Sequence, residues 1–213
     1  MSFSSELQHL YEDRRHLLDL ASEKLEARVR AALDGLAHID RISFRIKETS
    51  SFVDKCSNSD GEARKDHSGI TKYAEPLEEV EDQIAGRVLV FFRSDIDLIE
   101  TALQEWFRSA VEYRRREPAV AAAFGYESDH YIFIIDEHMK PDGWGDAGPM
   151  PTTFELQVRT LFMHAFAEPQ HDLGYKGGEP LDSETEREFA WIAASAWGAD
   201  RTMNDLYERL GQG

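Results

Sequence analysis

Residues Thr153–Arg159 constrain the fold of this 213-residue chain more tightly than any other stretch. Phe154, Leu156 and Val158 alternate with Glu155, Gln157 and Arg159, the period-2 pattern of a half-buried strand. One face of such a strand meets a core, and the other carries an acid, an amide and a guanidinium together. Three polar groups of that kind are costly to bury without a ligand or partner. His171, Tyr175 and Lys176 follow closely, so the segment is a candidate site as well as a structural element.

The length suits one domain with a single substantial core. A formal net charge of −17 argues against broad nonspecific nucleic-acid binding. Local basic clusters remain available from Arg45, Lys47, Lys55, Arg87, Arg93 and Arg114–Arg116. The single cysteine, Cys56, excludes an internal disulfide framework and a multi-cysteine zinc site, and reads as a small packed residue. The start, MSFSSELQHLYEDRR, lacks a basic n-region and an apolar h-region. No apolar run approaches ~18–20 residues, so no membrane partner is expected. A cytoplasmic protein is the expectation.

Periodicity orders the rest. Leu7, Leu10, Leu17, Leu18, Leu20, Leu25 and Val29 recur at helical spacing after Ser4 or Ser5 as cap, predicting one opening helix to about Asp34–Gly35. Strands are predicted at Arg41–Lys47, Gly86–Phe92, Ala110–Arg115, His130–Asp136 and Thr153–Arg159. Helices are predicted at Ser50–Ser59, from Pro76 to Gln83, and at Asp95–Phe107. Another should run from the last strand to Glu168, where Pro169 interrupts it, and a final one spans Ser183–Leu210. Pro118–Asp129 reads as a loop and His138–Pro151 as an exposed connection. Trp106, Trp191 and Trp197 read as core. The fold class is therefore α/β (α+β): a mixed, roughly five-stranded sheet flanked by helices. One domain would comprise an N-terminal helical segment over 1–40, a core over 41–176 and a C-terminal helix over 177–213.

Arg45 and Lys47 with Ser51 and Lys55 place cations on a strand end and the next helix. Asp82 stands at the entry to a strand that carries Arg87, and Gly125-Tyr126 leads to His130. In the order Arg45-Ile-Lys47, Asp82…Arg87, Tyr126…His130 and Glu155…Gln157…Arg159-Thr160, over roughly Arg41–Lys176, the chain resembles the synthetase domain of the RelA/SpoT family, the alarmone synthetases. The resemblance implies a nucleotidyltransferase-like fold and a stand-alone small synthetase. It also implies transfer of the pyrophosphate of ATP to the 3′-hydroxyl of GDP or GTP, with Mg²⁺.

Phosphoryl-type transfer needs developing charge neutralised and oxygens held in line. By resemblance, Arg45, Lys47, Ser51, Lys55 and Arg87 would bind ATP. Asp82 and Glu155 would hold Mg²⁺, a hard ion that takes carboxylate oxygens, and Glu155 could take the proton of the attacking hydroxyl. Tyr126 would stack on the acceptor base, while His130, Gln157, Arg159 and His171 would contact the acceptor. A purely structural reading of Asp82 and Glu155 would pair them with Arg87 and Arg159. His164 and His171 do not read as a zinc pair.

Two departures concern the acceptor. The family usually has a lysine four positions before the loop tyrosine and a cation directly after it; here Ala122 and Glu127 stand there. The usual Glu-His pair after the last strand is Gln170-His171, preceded by Pro169. Gly86 also lies one place later than usual. An acceptor without clustered 5′ phosphates would suit these changes, and some toxic relatives modify the 3′-CCA end of tRNA or adenosine nucleotides. Arg14, Arg15 and Lys24 could supply a small tRNA footprint. An antitoxin protein and a homo-oligomer are open as partners, and a non-catalytic nucleotide-binding module is the alternative from another class. A sensor would not need both Asp82 and Glu155.

Overall fold

The alternating segments pair into one five-stranded mixed sheet in the computed structural model, which describes residues 2–107, 110–116, 128–174 and 181–211. The strands are β1 (Ile39–Ile46), β2 (Ile84–Val90), β3 (Ala110–Arg116), β4 (Ser128–Ile134) and β5 (Thr153–Thr160). Their order is β1-β2-β5-β4-β3. β2 and β5 run parallel, and the other neighbours are antiparallel. A parallel pair needs a long crossover, here formed by α5 (Ser94–Trp106), β3 and β4.

One face of the sheet is apolar. Ile42 lies opposite Val88, which lies opposite Val158, and Leu156 lies opposite Gly86 and Tyr131. α2 (Arg15–Ala32) brings Leu18, Ala21, Leu25 and Val29 onto this core, and α5 adds Ile99 and Leu103. Gly86 is required here by close approach. A Cβ would lie 2.5 Å from Phe44 Cζ and 2.6 Å from Leu156 Cδ1. The opposite face is polar, and α6 (Leu161–Gly174) and α7 (Ser183–Leu210) lie beyond it, packed on each other.

Several expectations are corrected. The opening helix is two: α1 (Phe3–Glu12), capped by Ser2 rather than Ser4 or Ser5, and α2. The break falls where Arg14 turns inward to donate to the carbonyls of Leu10 and Pro149. Pro76 opens only one turn, α4 (Pro76–Glu79), before a 3₁₀ turn over Glu81–Gln83. α6 runs through Pro169 to Gly174; packing against α7 compensates for the backbone bond a helical proline forfeits. The 138–151 connection is anchored, since Met139, Trp144 and Met150 are buried.

The tryptophan expectation also fails. Trp106 and Trp191 are exposed and Trp197 is half-buried. Those residues lie on outer helices, where Arg28 and Arg201 cover the rings of Trp106 and Trp197. Cys56, on α3 (Thr49–Cys56), is buried as a packed residue. Burial pushes its thiol up to about 11. Among the described residues, no helix is long and apolar enough to cross a membrane.

Candidate active site

Strand register assembles the polar face. Across the sheet Arg45 lies opposite Ala85, Ala85 opposite Glu155, and Glu155 opposite Ile132. One step along, Ser43, Arg87, Gln157 and His130 form the next row. Because directly opposed residues share a face, Arg45, Arg87, Glu155, Gln157 and His130 all project to one side. Arg45, Arg87 and Gln157 line one cavity with Ser43 and Ala85.

A second cluster stands at the end of this face. Lys47 follows β1, where its N–H donates to the carbonyl of Gln83 at 2.8 Å and its own carbonyl accepts from Tyr11 Oη at 2.9 Å. Tyr11 stacks on Phe52 of α3 with ring centroids 4.1 Å apart, so the core fixes Lys47 relative to Lys55. The buried Gln83 amide donates to the carbonyls of Leu77 and Val80 and holds the turn that carries Asp82. Lys47 Nζ then meets Asp82 Oδ2 at 2.8 Å, and Lys55 Nζ meets Asp82 Oδ1 at 2.8 Å.

Burial pushes the Asp82 carboxyl up, but the two ammonium groups more than offset it and hold the group below the usual carboxylate range. For Lys55, burial acts downward and Asp82 prevails, raising it. Glu155 is also held low: burial opposes ionisation, and the hydrogen bond with His130 Nδ1 outweighs it. The charge of Asp82 acts on Glu155 in the opposite sense, as expected of two carboxylates at one end of a site. Neither carboxylate takes the arginine partner of a purely structural pairing. Arg87 instead meets Glu168, and Arg159 donates to Gln157.

Lys47, Lys55 and Asp82 thus meet in one cluster, with Glu155 and the Arg45–Arg87–Gln157 cavity on the adjoining face. Ser51 is exposed on the first turn of α3. His130 is buried against Glu155, an arrangement that orients the carboxylate. Tyr126, Ala122, Glu127, Tyr175 and Lys176 lie outside the described residues, as does the side chain of His171. The basic residues expected on the opening helix make internal contacts, although Lys24 stays exposed. Arg14 is buried, Arg15 bonds Glu48 and Thr49, and Lys24 donates to the carbonyl of Lys140.

Sequence reasoning missed Glu168 and His164. They lie one helical turn apart on α6 and face Arg87 and Arg159. Their i, i+4 spacing directly after the Glu-Gln-Arg strand was the available signal.

Asp82 and Glu155 are two carboxylates that could hold a metal on this face. No group of three or more His, Cys, Asp or Glu that could hold an ion occurs among the described residues. That donor set fits Mg²⁺, which is commonly held by one or two carboxylates plus substrate phosphates and waters. Lys47 and Lys55 each take one lone pair of an Asp82 oxygen, which leaves the others for an ion.

The fold matches small alarmone synthetase 1 from Bacillus subtilis, with a TM-score of 0.68, 20% identity, and coverage of 95% of this chain and 98% of that one. A GTP pyrophosphokinase family protein from Streptococcus pneumoniae matches with a TM-score of 0.68, 20% identity and 95% coverage of each chain. The Bacillus subtilis enzyme bound to its product pppGpp matches at 0.66, with 18% identity, over 93% of this chain and 97% of that one. No curated protein matches. Residues 44–180 match the family model described as the region found in RelA / SpoT proteins. The match spans most of the chain and includes Arg45, Arg87 and Gln157 of the cavity, so this protein belongs to the RelA/SpoT family and is a pyrophosphotransferase of the alarmone synthetase type.

Proposed function

We propose that this chain transfers the β,γ-pyrophosphate of ATP to the 3′-hydroxyl of GDP or GTP. The observation that carries the reading is the convergence of Lys47 and Lys55 on Asp82, beside Glu155 and the Arg45–Arg87–Gln157 cavity. Phosphoryl transfer calls for this composition, with cations for the phosphates and carboxylates where a proton leaves.

In this reading Lys47, Lys55, Arg45 and Arg87 bind the ATP phosphates and hold the leaving oxygen in line with the attacking one across the β-phosphorus. Glu155, kept ionised and oriented by His130, accepts the proton of the acceptor 3′-hydroxyl. The hydroxyl oxygen bonds to the β-phosphorus as the bond from that phosphorus to the α,β-bridging oxygen breaks, and AMP leaves with the electron pair. Mg²⁺, held by Asp82 and Glu155, would supply charge neutralisation on the transferring phosphates. Gln157 and Arg159 form a bonded pair that borders the acceptor side, and Tyr126 and His171 contact the acceptor.

A second reading keeps the same donor chemistry and changes the acceptor. Ala122 and Glu127 replace the two cations expected around Tyr126, which favours a 3′-hydroxyl without clustered 5′ phosphates, on a tRNA 3′-CCA end or an adenosine nucleotide. The internal engagement of Arg14, Arg15 and Lys24 weakens the tRNA branch. An antitoxin partner belongs with this second reading.

The test is incubation of the full chain with Mg²⁺, γ-labelled ATP and GDP, GTP, ATP or tRNA in turn. Label appearing in ppGpp or pppGpp supports the first reading, and label on tRNA or an adenosine nucleotide alone supports the second. No labelled product with any acceptor leaves the non-catalytic module as the better account.

A further inference from the structure

Glu168 forms an ion pair with Arg87 that the donor chemistry does not explain. Its Oε1 lies 2.5 Å from Arg87 Nη1 and, at longer range, 3.8 Å from Arg159 Nη1 and 3.7 Å from His164 Nδ1. The glutamate side chain is 50% exposed, whereas Arg87 is 24% exposed. Arg87 also lines the cavity with Arg45 and Gln157, and its Nε is buried without a hydrogen-bond partner. The contact therefore uses part of a guanidinium fork whose geometry suits two anionic oxygens.

We infer that Glu168 is an internal counter-anion standing on Arg87 where a donor phosphate would bind, so that it competes with the nucleotide and sets the affinity for it. The inference rests on the reading of Arg87 as a phosphate-binding residue. A carboxylate and a phosphate present the same acceptor chemistry to arginine. A half-exposed ion pair contributes little to folding, so Glu168 can swing into water when a more highly charged anion arrives.

Calorimetric titration of the full chain with inorganic pyrophosphate, and separately with ATP, tests this. Glu168→Gln should bind both about five- to tenfold more tightly than the parent, the change that relief of one such pair would give. The KM for ATP should fall in parallel. Adding Arg87→Ala to Glu168→Gln should erase the gain. Glu168→Ser, which removes the carboxylate with a different side chain, guards against a folding artefact and should reproduce it.

Equal or weaker binding by both Glu168 variants, at melting temperatures matching the parent, would overturn the inference and mark Glu168 as a group that positions Arg87. A binding gain in a protein that transfers to no acceptor would retire the proposed reaction and leave the competition intact. Transfer to GDP without any gain would do the reverse.

Discussion

Glu155 and His130 are diagonal neighbours across β4 and β5, offset by two residues on one face, and their side chains are hydrogen-bonded. The imidazole thereby holds a half-buried carboxylate ionised and fixes its direction. Asp82 reaches the same state by a different route, through two ammonium groups.

Asp82→Asn and Glu155→Gln should each lower pyrophosphate transfer by about 100-fold or more, since each keeps volume and removes a charge aimed at the reacting phosphates. Initial rates with labelled ATP, read beside circular dichroism, check this. Rates within about tenfold of the parent at unchanged structure would remove that residue from the reacting centre.

The Lys47–Asp82–Lys55 cluster should stabilise the fold over a defined pH window. The Asp82 carboxyl is depressed below its ordinary 3.8, so its contribution is present above that value and is lost as pH falls through the folded value. Lys55 is raised above its ordinary 10.5, so its contribution is present below that value and is lost as pH rises through the folded one. The melting-temperature difference between the parent and Asp82→Asn should be widest near neutrality and should shrink on acidification. A constant difference from pH 7 to pH 3 would mean that Asp82 acts by packing alone.

Gly86→Ala should destabilise the protein by about 1–3 kcal/mol, because the added methyl overlaps Phe44 and Leu156 in a packed core. Urea denaturation measures it. A loss below about 0.5 kcal/mol would show that β1 and β5 can separate at little cost.

The acceptor loop carries the riskiest expectation. Ala122→Lys with Glu127→Arg should raise kcat/KM for GDP, because cations in a partly dry site attract phosphate. Tyr126→Ala should lower turnover with any base-stacked acceptor. Efficient GDP turnover by the parent that the double substitution leaves unchanged would mean that the 5′ phosphates are bound elsewhere, and the tRNA alternative would lose its support.

Much of this protein is written in local pattern. Alternation of Phe154, Leu156 and Val158 with Glu155, Gln157 and Arg159 set both the strand and its two faces, because side chains in a strand alternate whatever surrounds them. The α7 boundaries at Ser183 and Leu210 follow in the same way from helical periodicity, and the structure adds the Asp182 cap. Tertiary structure decided which charges meet. The pairing of Lys47 and Lys55 with Asp82, and of Arg87 with Glu168, depends on the register of β1 on β2 and on how α6 is laid against the polar face of the sheet. Register and helix continuation are settled by contacts between segments far apart in the chain. Local propensity, which makes Pro169 a helix end and Trp191 a core residue, cannot weigh those contacts.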